Sequence, residues 1–339
     1  MNTGAGVPPL AFVQLLNSAA LRPSAVAHFR RIMAREGCSE LELVRADRQV
    51  PVQWFREVHP SLDAEAATRL GLAFAEQAQL TSFGPLSLPL VSAASVREVF
   101  ELLDYLPVIS AALRPHFHQN RTNLTVGLTG HTGDLALDRL VITYGGAALL
   151  RLLDMLSGPQ SSVTLHLAWA TPSQPAPGLD AMPMRVVFDA PTSFIHVPNE
   201  VLAMPCRFPD PVAYRLAIAE LRRALERNKQ PGSITESVRR AIENDPGNAD
   251  RYIVATTLGL STSTLKRRLE EEGTTFREVR TSLLRERAIV RLLDHTLPIS
   301  QIAVDLGYSD HTNFSHAFKR WTGQSPGEFR RAGSRIRTE

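Results

Sequence analysis

The chain of 339 residues lacks several features that define common protein classes. It has only two cysteines, Cys38 and Cys206, which excludes a disulfide framework, and neither lies in a CxxC zinc motif. No apolar run approaches the ~18 residues of a membrane span, and the N-terminus has no basic segment typical of a signal peptide. The composition, 44% hydrophobic and 21% charged, is that of a globular protein with room for two domains. These absences predict a cytoplasmic protein that does not enter a membrane.

The charge is unevenly distributed along the chain. Residues 1–231 contain 20 Lys and Arg against 20 Asp and Glu, whereas residues 232–339 contain 17 against 14. The net charge of +3 therefore lies entirely in the last third of the chain. Such a basic segment favours a polyanionic partner, although a solvated basic tail would give the same count.

The first two thirds of the chain combine helical and strand-like patterns. Apolar residues recur at helical spacing over much of residues 10–80, and Ser95–Leu106 and Ile142–Leu156 predict further helices. A proline-rich loop is predicted at Thr171–Pro183. Three segments have the alternation or β-branching of strands: Leu124–Leu128, Ser162–Trp169 and Met184–Phe188. The pattern predicts an α+β domain with helices around several strands.

Two short segments of the C-terminal third share Ala, Leu, Gly and Ser at the same spacing. They are Ala255–Ser261 and Ala303–Ser309, offset by 48 residues. A small Ala allows two helices to cross closely, Leu fills the space between them, and Gly takes the positive φ of a tight turn. Ser261 and Ser309 are each expected to cap the helix that follows. The repeat predicts two helix-turn-helix units.

The helices predicted after these turns keep an apolar inner face. Leu265 and Leu269 in Thr262–Glu271 correspond to Phe314 and Phe318 in Asp310–Trp321, each pair spaced i, i+4. The opposite face of each helix is then available to enter a major groove. The intervening stretch, Thr275–Asp294, predicts one long helix that would separate two reading helices by the ~34 Å between successive major grooves.

These residues resemble the AraC/XylS family of bacterial transcription regulators. Ile302–Arg330 follows the family signature almost throughout, and Leu258–Val279 is similar to a subfamily with a compact first motif. The hallmark positions are Phe318-Lys319-Arg320, Gly323, Ser325-Pro326 and Phe329-Arg330. Together the resemblance covers residues 234–332.

The N-terminal part resembles the arabinose-binding-like domain of regulators in this subfamily. The similar stretches are Phe83–Leu86 and Met184–Phe188, the latter followed by a polar turn and Pro205. In the family this domain senses a small molecule or mediates dimerisation, so the resemblance implies a homodimer.

The resemblance and the residue pattern together predict the following organisation. An α+β effector-sensing or dimerisation domain spans residues 1–229, a linker spans 230–235, and an all-α double helix-turn-helix domain spans 236–332. The predicted function is a sequence-specific transcription regulator, an activator or a dual regulator, that binds double-stranded promoter DNA in the nucleoid. The expected partners are RNA polymerase and a small-molecule effector. The alternative is a ligand-independent regulator controlled by its abundance or by a protein partner.

The residues predicted to contact DNA are the outward-facing positions of the two reading helices. Basic side chains would bind mainly phosphates, and long or polar tips at base edges would give specificity. The alternative is that some of these side chains only form a solvated surface and do not contact DNA. The predicted DNA-binding residues are Thr262, Ser263, Lys266, Arg267, His311, Thr312, Asn313, His316, Lys319 and Arg320.

Two of these positions depart from the family. Ser263 and His316 stand where the family commonly has arginine, so base contacts are not carried over to them. The acidic run Glu270–Glu272 would repel phosphate, and it is expected to point away from the DNA.

An enzyme is the main alternative for residues 1–230, but the common catalytic motifs GxSxG, GxxxxGK[ST], HExxH and GxGxxG are absent. His116 and His118 would share one face of a strand, as metal ligands or as ordinary surface histidines. Pro205-Cys206-Arg207 faintly resembles the Pro-Cys-His-Arg nucleophile of DNA-alkyl acceptor proteins but lacks its histidine. We therefore predict no enzyme activity, no cofactor and no metal. Trp169, Phe188 and Phe194 either line an effector pocket or belong to the core.

Overall fold

The computed structural model describes residues 5–46, 48–159, 162–173, 185–228, 233–246 and 250–334. Most of the predicted proline-rich loop, Met184 and linker positions 230–232 lie outside the described residues. The chain divides into two compact units, Met1–Asn228 and Lys229–Glu339.

The N-terminal unit is an α+β fold, as the sequence predicts. Its helices are α1 (Pro9–Leu16), α2 (Pro23–Arg35), α3 (Glu40–Arg45), α4 (Gln53–Val58), α5 (Ala64–Glu76), α6 (Ser87–Ser92), α7 (Val96–Glu101), α8 (Leu106–Ile109), α9 (Leu135–Ser157), α10 (Asn199–Leu202) and α11 (Pro211–Asn228). Short 3₁₀ helices occupy Gly84–Leu86 and Leu102–Tyr105. The strands are β1 (Gly6–Val7), β2 (Val50–Pro51), β3 (Leu113–Gln119), β4 (Asn123–Gly130), β5 (Thr164–His166), β6 (Val186–Val187) and β7 (Phe194–Pro198).

The described strands form a two-stranded ladder and a five-stranded sheet. β1 and β2 pair antiparallel, and the larger sheet has the order β3-β4-β7-β5-β6. All neighbours in the larger sheet are antiparallel except β5 and β6, which are parallel. The predicted strand Ser162–Trp169 is observed only as β5, and the helix predicted over Ser95–Leu106 is divided by the 3₁₀ segment Leu102–Tyr105.

Helix α9 is the central element of the N-terminal core and packs on α5 and on β4. The close crossing depends on Gly71 of α5, because a Cβ there would lie 2.8 Å from both the carbonyl oxygen of Leu140 and the Cβ of Thr143. By length and mean hydropathy (1.4) α9 also meets the criteria for a membrane span. However, 72% of its most apolar window is buried inside the protein, as in the core helix of a globular domain.

The aromatic residues considered for an effector pocket have different positions. Trp169 and Phe188 are half-buried and pack against the core. Phe194 is buried and its ring stacks on His166 with 4.3 Å between centroids. None of the three lines the apolar cavity of this unit, which is formed mainly by residues of α6 and α9 and of the segments between α6 and β3.

The C-terminal unit consists of helices only over its described residues. They are α12 (Ile234–Asn244), α13 (Arg251–Thr257), α14 (Thr262–Glu271), α15 (Phe276–Leu292), α16 (Ile299–Asp305), α17 (His311–Thr322) and α18 (Pro326–Ser334). The long helix α15 contacts α12 and also α16, α17 and α18. It is thus the shared element between two small helical groups, which is the all-α double helix-turn-helix fold that the sequence predicts.

Candidate DNA-binding interface

The turn between α13 and α14 is a Schellman motif. Gly259 has a φ of +67°, and its amide donates to the carbonyl of Thr256 at 3.0 Å. The amide of Leu260 donates to the carbonyl of Ala255 at 2.9 Å. These two bonds satisfy carbonyls that the end of a helix leaves unpaired, and they require a residue that tolerates positive φ. The repeated Ala, Leu and Gly therefore specify how the first helix ends.

The turn between α16 and α17 has the same geometry. Gly307 has a φ of +80° and donates to Val304 at 2.9 Å, while the amide of Tyr308 donates to Ala303 at 2.9 Å. Ala255 and Ala303 are both almost fully buried, as a close helix crossing requires. The predicted repeat is therefore confirmed as a repeat of backbone hydrogen bonds.

The two units differ at the start of the reading helix. Ser261 caps α14, since its hydroxyl accepts from the amide of Thr264 at 3.1 Å, as predicted. The prediction that Ser309 caps α17 is wrong. Asp310 is the cap, and its carboxylate accepts from the amide of Asn313 at 2.8 Å. The second turn therefore contains one residue more than the first. Equivalent positions are 48 residues apart before the extra residue and 49 residues apart in the helices that follow.

This extra residue sets which positions of the two helices correspond. Leu265 and Leu269 match Phe314 and Phe318, and all four are buried. On the outer face Arg267 then corresponds to His316. Glu270 and Glu271 correspond to Lys319 and Arg320, so the C-terminal ends of the two reading helices carry opposite charge.

The outer face of α17 presents polar and basic side chains. At 100° per residue, Thr312, Asn313, His316, Lys319 and Arg320 share one side of the helix, and all are exposed. The predicted residue His311 is exposed in the first turn, about a quarter-turn to one side of this face.

The side chain of Asn313 already has partners at the beginning of α17. Its amide nitrogen donates to the carboxylate of Asp310 at 2.8 Å and to the hydroxyl of Ser309 at 3.0 Å. These bonds hold the amide group in one orientation at the N-terminal end of α17. Both N–H groups of the amide are used in these bonds, so one bond must open before the amide can make a bidentate contact with an adenine edge.

The outer face of α14 is neutralised by its own acidic residues. Ser263, Lys266 and Arg267 are exposed and Thr262 is half-buried. Arg267 Nη1 lies 2.5 Å from Glu271 Oε1, and Lys266 Nζ lies 3.7 Å from Glu270 Oε1. The i, i+4 spacing places Glu270 and Glu271 on the same side of α14 as Lys266 and Arg267, so they do not point away from these predicted DNA-binding residues.

Glu272, the third acidic residue, has a structural role at the end of α14. Its carboxylate accepts from the amides of Ile234 (2.7 Å) and Thr235 (3.1 Å) and from the hydroxyl of Ser233 (2.9 Å). Burial raises the pKa of Glu272, but these hydrogen bonds outweigh burial and leave the pKa below its usual value. A carboxylate at the positive end of the α12 dipole is favourable, so Glu272 links the beginning of α12 to α14.

Helix α15 is held to α12 by a buried ion pair. Arg239 Nη1 lies 2.8 Å from Glu286 Oε2, with side-chain exposures of 7% and 2%. The hydroxyl of Ser282 donates to the other oxygen of Glu286 at 2.8 Å. Sequence reasoning missed this pair because both residues occupy helix positions that look like ordinary solvated surface.

The features considered for catalysis have other positions in the structure. His116 and His118 lie on β3, and no group of three or more His, Cys, Asp and Glu that would hold a metal occurs among the described residues. Burial, together with the charge of Glu98, raises the pKa of the Cys206 thiol to about 11. The thiol is therefore protonated at neutral pH, whereas a nucleophilic cysteine acts as the thiolate.

Two family models match the two parts of the chain. The model of the helix-turn-helix domain matches residues 254–332. The model of the arabinose-binding domain of AraC transcription regulators matches residues 14–206, which is more than half of the chain.

Similar proteins include several regulators. An HTH-type transcriptional regulator of Mycobacterium tuberculosis is 33% identical over 159 residues, and the match covers 46% of each protein. The chain therefore spans less than half the length of this relative. The ornithine utilization regulator of Pseudomonas aeruginosa is 26% identical over 271 residues, with 78% of each protein covered.

Among solved structures, the transcriptional regulator CdpR of Pseudomonas aeruginosa has a TM-score of 0.41 at 20% identity, over 92% of this chain and 99% of that one. The two family models are stronger evidence of the family, because one matches the helix-turn-helix unit and the other matches the N-terminal α+β unit. The chain belongs to the AraC family of transcription regulators.

Proposed function

We propose that this protein binds double-stranded promoter DNA sequence-specifically by placing α14 and α17 in successive major grooves. One observation carries the proposal: two reading helices with equivalent turns are attached to one shared helix, and each turns a polar face to solvent. The spacer α15 gives the two helices a fixed separation, as a reader of one face of DNA requires.

The predicted residues have different roles in this proposal. Lys319 and Arg320 bind phosphates and supply affinity, since they are exposed basic residues at the end of α17. Arg267 and Asn313 read base edges, because guanidinium and amide groups match guanine and adenine in the major groove. The shorter Ser263 and His316 contribute little direct readout.

The N-terminal unit is proposed to regulate this binding in response to a small-molecule effector, as part of a homodimer that recruits RNA polymerase. The match of residues 14–206 to the arabinose-binding domain and the apolar cavity in this unit support the effector. A ligand-independent regulator would have no need for such a cavity. The dimer and the polymerase contact are supported by family membership alone.

The test begins with genomic fragments bound by the full-length protein, from which an operator is defined by sequencing. The affinity for a labelled operator is then measured by fluorescence anisotropy for Arg267→Ala, Asn313→Ala and the double variant. Each single change is expected to weaken operator binding by about 1–3 kcal/mol and to relax preference at one base pair.

Arg223→Ala provides the matched control. Arg223 is also an exposed arginine paired within its own helix, to Glu220, but it lies on α11 of the N-terminal unit. If the control lost as much affinity as Arg267→Ala, or if the double variant retained full sequence preference, the assigned reading face would be wrong.

A further inference from the structure

The spacer helix α15 has three half-buried arginines, and only two of them have a partner among the described residues. Arg287 Nη2 donates to the carbonyl of Glu243 at 2.9 Å, and Arg291 Nη1 lies 2.9 Å from Asp305 Oδ2. Arg280 forms no hydrogen bond or ion pair with any described residue. A half-buried charge without a counterion is unfavourable, so Arg280 is the position on α15 where an anion from outside the chain would be stabilising.

The guanidinium of Arg280 is open to solvent at its tip. Its Nε is buried, whereas its two terminal Nη nitrogens are not. The N–H groups available to a ligand are therefore those of the tip. A guanidinium binds the oxygens of a phosphate through these groups, with short charge-assisted hydrogen bonds.

Tyr308, in the turn before α17, places a hydroxyl in the same region. Its ring packs against Phe314 and Trp321 of α17, with centroid distances of 5.6 Å and 6.2 Å. Its hydroxyl reaches solvent and forms no hydrogen bond with a described residue. Burial raises the pKa of Tyr308, and the charges of Arg280 and Arg320 act in the opposite direction, because both lie near the hydroxyl. The hydroxyl stays protonated at neutral pH, and guanidinium groups from two different helices flank it.

The position of Arg320 relates this group to the surface proposed to face DNA. Arg320 is exposed on the side of α17 that is proposed to enter the major groove, and α15, which carries Arg280, packs on α17. A duplex that places successive major grooves against α14 and α17 has to pass the helix that joins them, which is α15. Two guanidinium groups and a hydroxyl donor at this position favour a phosphate of the DNA backbone as their ligand.

We propose that Arg280 and Tyr308, together with Arg320, form a phosphate site that holds the DNA backbone against the spacer helix. The proposal rests on the proposed DNA-binding function, and it adds to that function two residues that lie outside both reading helices. Arg280 and Arg320 supply positive charge, and Tyr308 donates a hydrogen bond to a phosphate oxygen. Such a contact fixes the register of the protein on the duplex and adds affinity without reading sequence.

The first measurement is the salt dependence of DNA binding by the full-length protein. At about 0.1 M salt, Arg280→Gln is expected to lower affinity about 10-fold for operator and non-operator DNA alike, and to reduce the salt slope by about one, because one charged phosphate contact is lost. Arg285→Gln is the matched control. Arg285 is an exposed arginine of the same helix, about 140° around its axis from Arg280, and its variant should keep the parent slope.

Tyr308→Phe isolates the hydroxyl. The variant keeps the ring that packs on α17, and it is expected to weaken DNA binding about 3- to 10-fold with the salt slope unchanged, because no charge is removed. The Tm of both variants without DNA is expected to be no lower than that of the parent, since each change removes a polar group that has no partner among the described residues.

The phosphate is tested on the DNA side. A methylphosphonate removes the charge of one phosphate, and a scan of the backbone between the grooves read by α14 and α17 is expected to find a position where this change weakens binding of the parent. At that position Arg280→Gln should lose less than about twofold, because its contact is already absent and the two changes are coupled. The scan of the parent remains informative even if a variant does not fold.

The proposal is overturned if Arg280→Gln keeps the parent salt slope, if no methylphosphonate position is coupled to Arg280, or if Tyr308→Phe binds DNA as the parent does. If inorganic phosphate raises the Tm of the parent but not of Arg280→Gln, and no DNA position is coupled, the site binds free anions and the assignment to the DNA backbone is wrong. Absence of any operator preference in the parent would contradict the proposed function, whereas operator preference with a parent-like slope in Arg280→Gln would contradict only this inference.

Discussion

The two helix-turn-helix units have the same backbone geometry but are stabilised and charged differently. Both turns are Schellman motifs around a glycine with positive φ. The first unit has an aliphatic core around Leu265 and Leu269. The second has an aromatic cluster in which Phe318 contacts Phe314, Trp321 and Phe329 with centroid distances of 5.5–6.5 Å.

The difference in surface charge is the more informative one for function. The outer end of α14 has Glu270 and Glu271, whereas the equivalent end of α17 has Lys319 and Arg320. The second unit is therefore suited to hold the DNA backbone. The first has its longest reading side chain, Arg267, in an ion pair that must open before it contacts DNA. In the proposed function, the two similar scaffolds therefore contribute unequally to DNA affinity and to base readout.

The largest expected effect concerns how each unit is attached to α15. Arg239→Met breaks the buried ion pair with Glu286, so we expect the local stability of α12 and α15 to fall by about 3–5 kcal/mol. Hydrogen exchange of the full-length protein, followed by mass spectrometry of peptides from both helices, measures this loss.

The matched control is Arg291→Met. Arg291 pairs with Asp305 of α16 at 2.9 Å, but the two side chains are 29% and 35% exposed. An exposed pair contributes about 0–1 kcal/mol, so this variant is expected to exchange almost as the parent does. Equal losses of local stability in the two variants would show that the buried ion pair contributes no more than the exposed one.

The next effect concerns phosphate binding. Lys319→Ala combined with Arg320→Ala is expected to lower affinity roughly 10- to 100-fold for operator and non-operator DNA alike, and to reduce the salt slope by about two. Anisotropy titrations at several salt concentrations measure both quantities. The adjacent pair Arg222→Ala and Arg223→Ala on α11 is the control, and a parent-like slope in the α17 variant would refute the phosphate assignment.

A smaller effect distinguishes the two serines of the sequence repeat. Ser261→Ala removes the cap of α14 and is expected to destabilise it by about 1 kcal/mol, whereas Ser309→Ala is expected to change stability by less than about 0.5 kcal/mol. Hydrogen exchange in the first turns of α14 and α17 measures the two changes. The reverse order would mean that Ser309, and not Asp310, caps the second reading helix.

The smallest expected effect is a gain in operator affinity. Glu270→Gln with Glu271→Gln releases Lys266 and Arg267 and removes two charges that repel phosphate, so operator affinity is expected to rise by up to about fivefold. Anisotropy at low salt measures it, and the gain should shrink at high salt because exposed charges are screened. Glu220→Gln, which releases Arg223 on α11, should have no effect on DNA binding.

The sequence alone was sufficient for the scaffold of the C-terminal unit. Ala255, Gly259, Ala303 and Gly307 identify the turns, since close helix crossings and positive φ each restrict the residue type. The i, i+4 pairs of Leu and Phe likewise identify the inner faces, because helix periodicity fixes which side is buried. The α+β class of the N-terminal unit also followed from its mixture of periods.

The tertiary structure decided what depends on contacts between distant residues. Asp310 rather than Ser309 caps α17 because the second turn contains one more residue than the first. As a result, Lys319 and Arg320 occupy the positions in α17 that Glu270 and Glu271 occupy in α14. The buried pair of Arg239 and Glu286 is 47 residues apart in the chain, and Tyr144 is recognisable as a cavity residue only when its neighbours are assembled. Local periodicity determines helices and turns, whereas burial, ion pairing and cavities arise only from packing between elements.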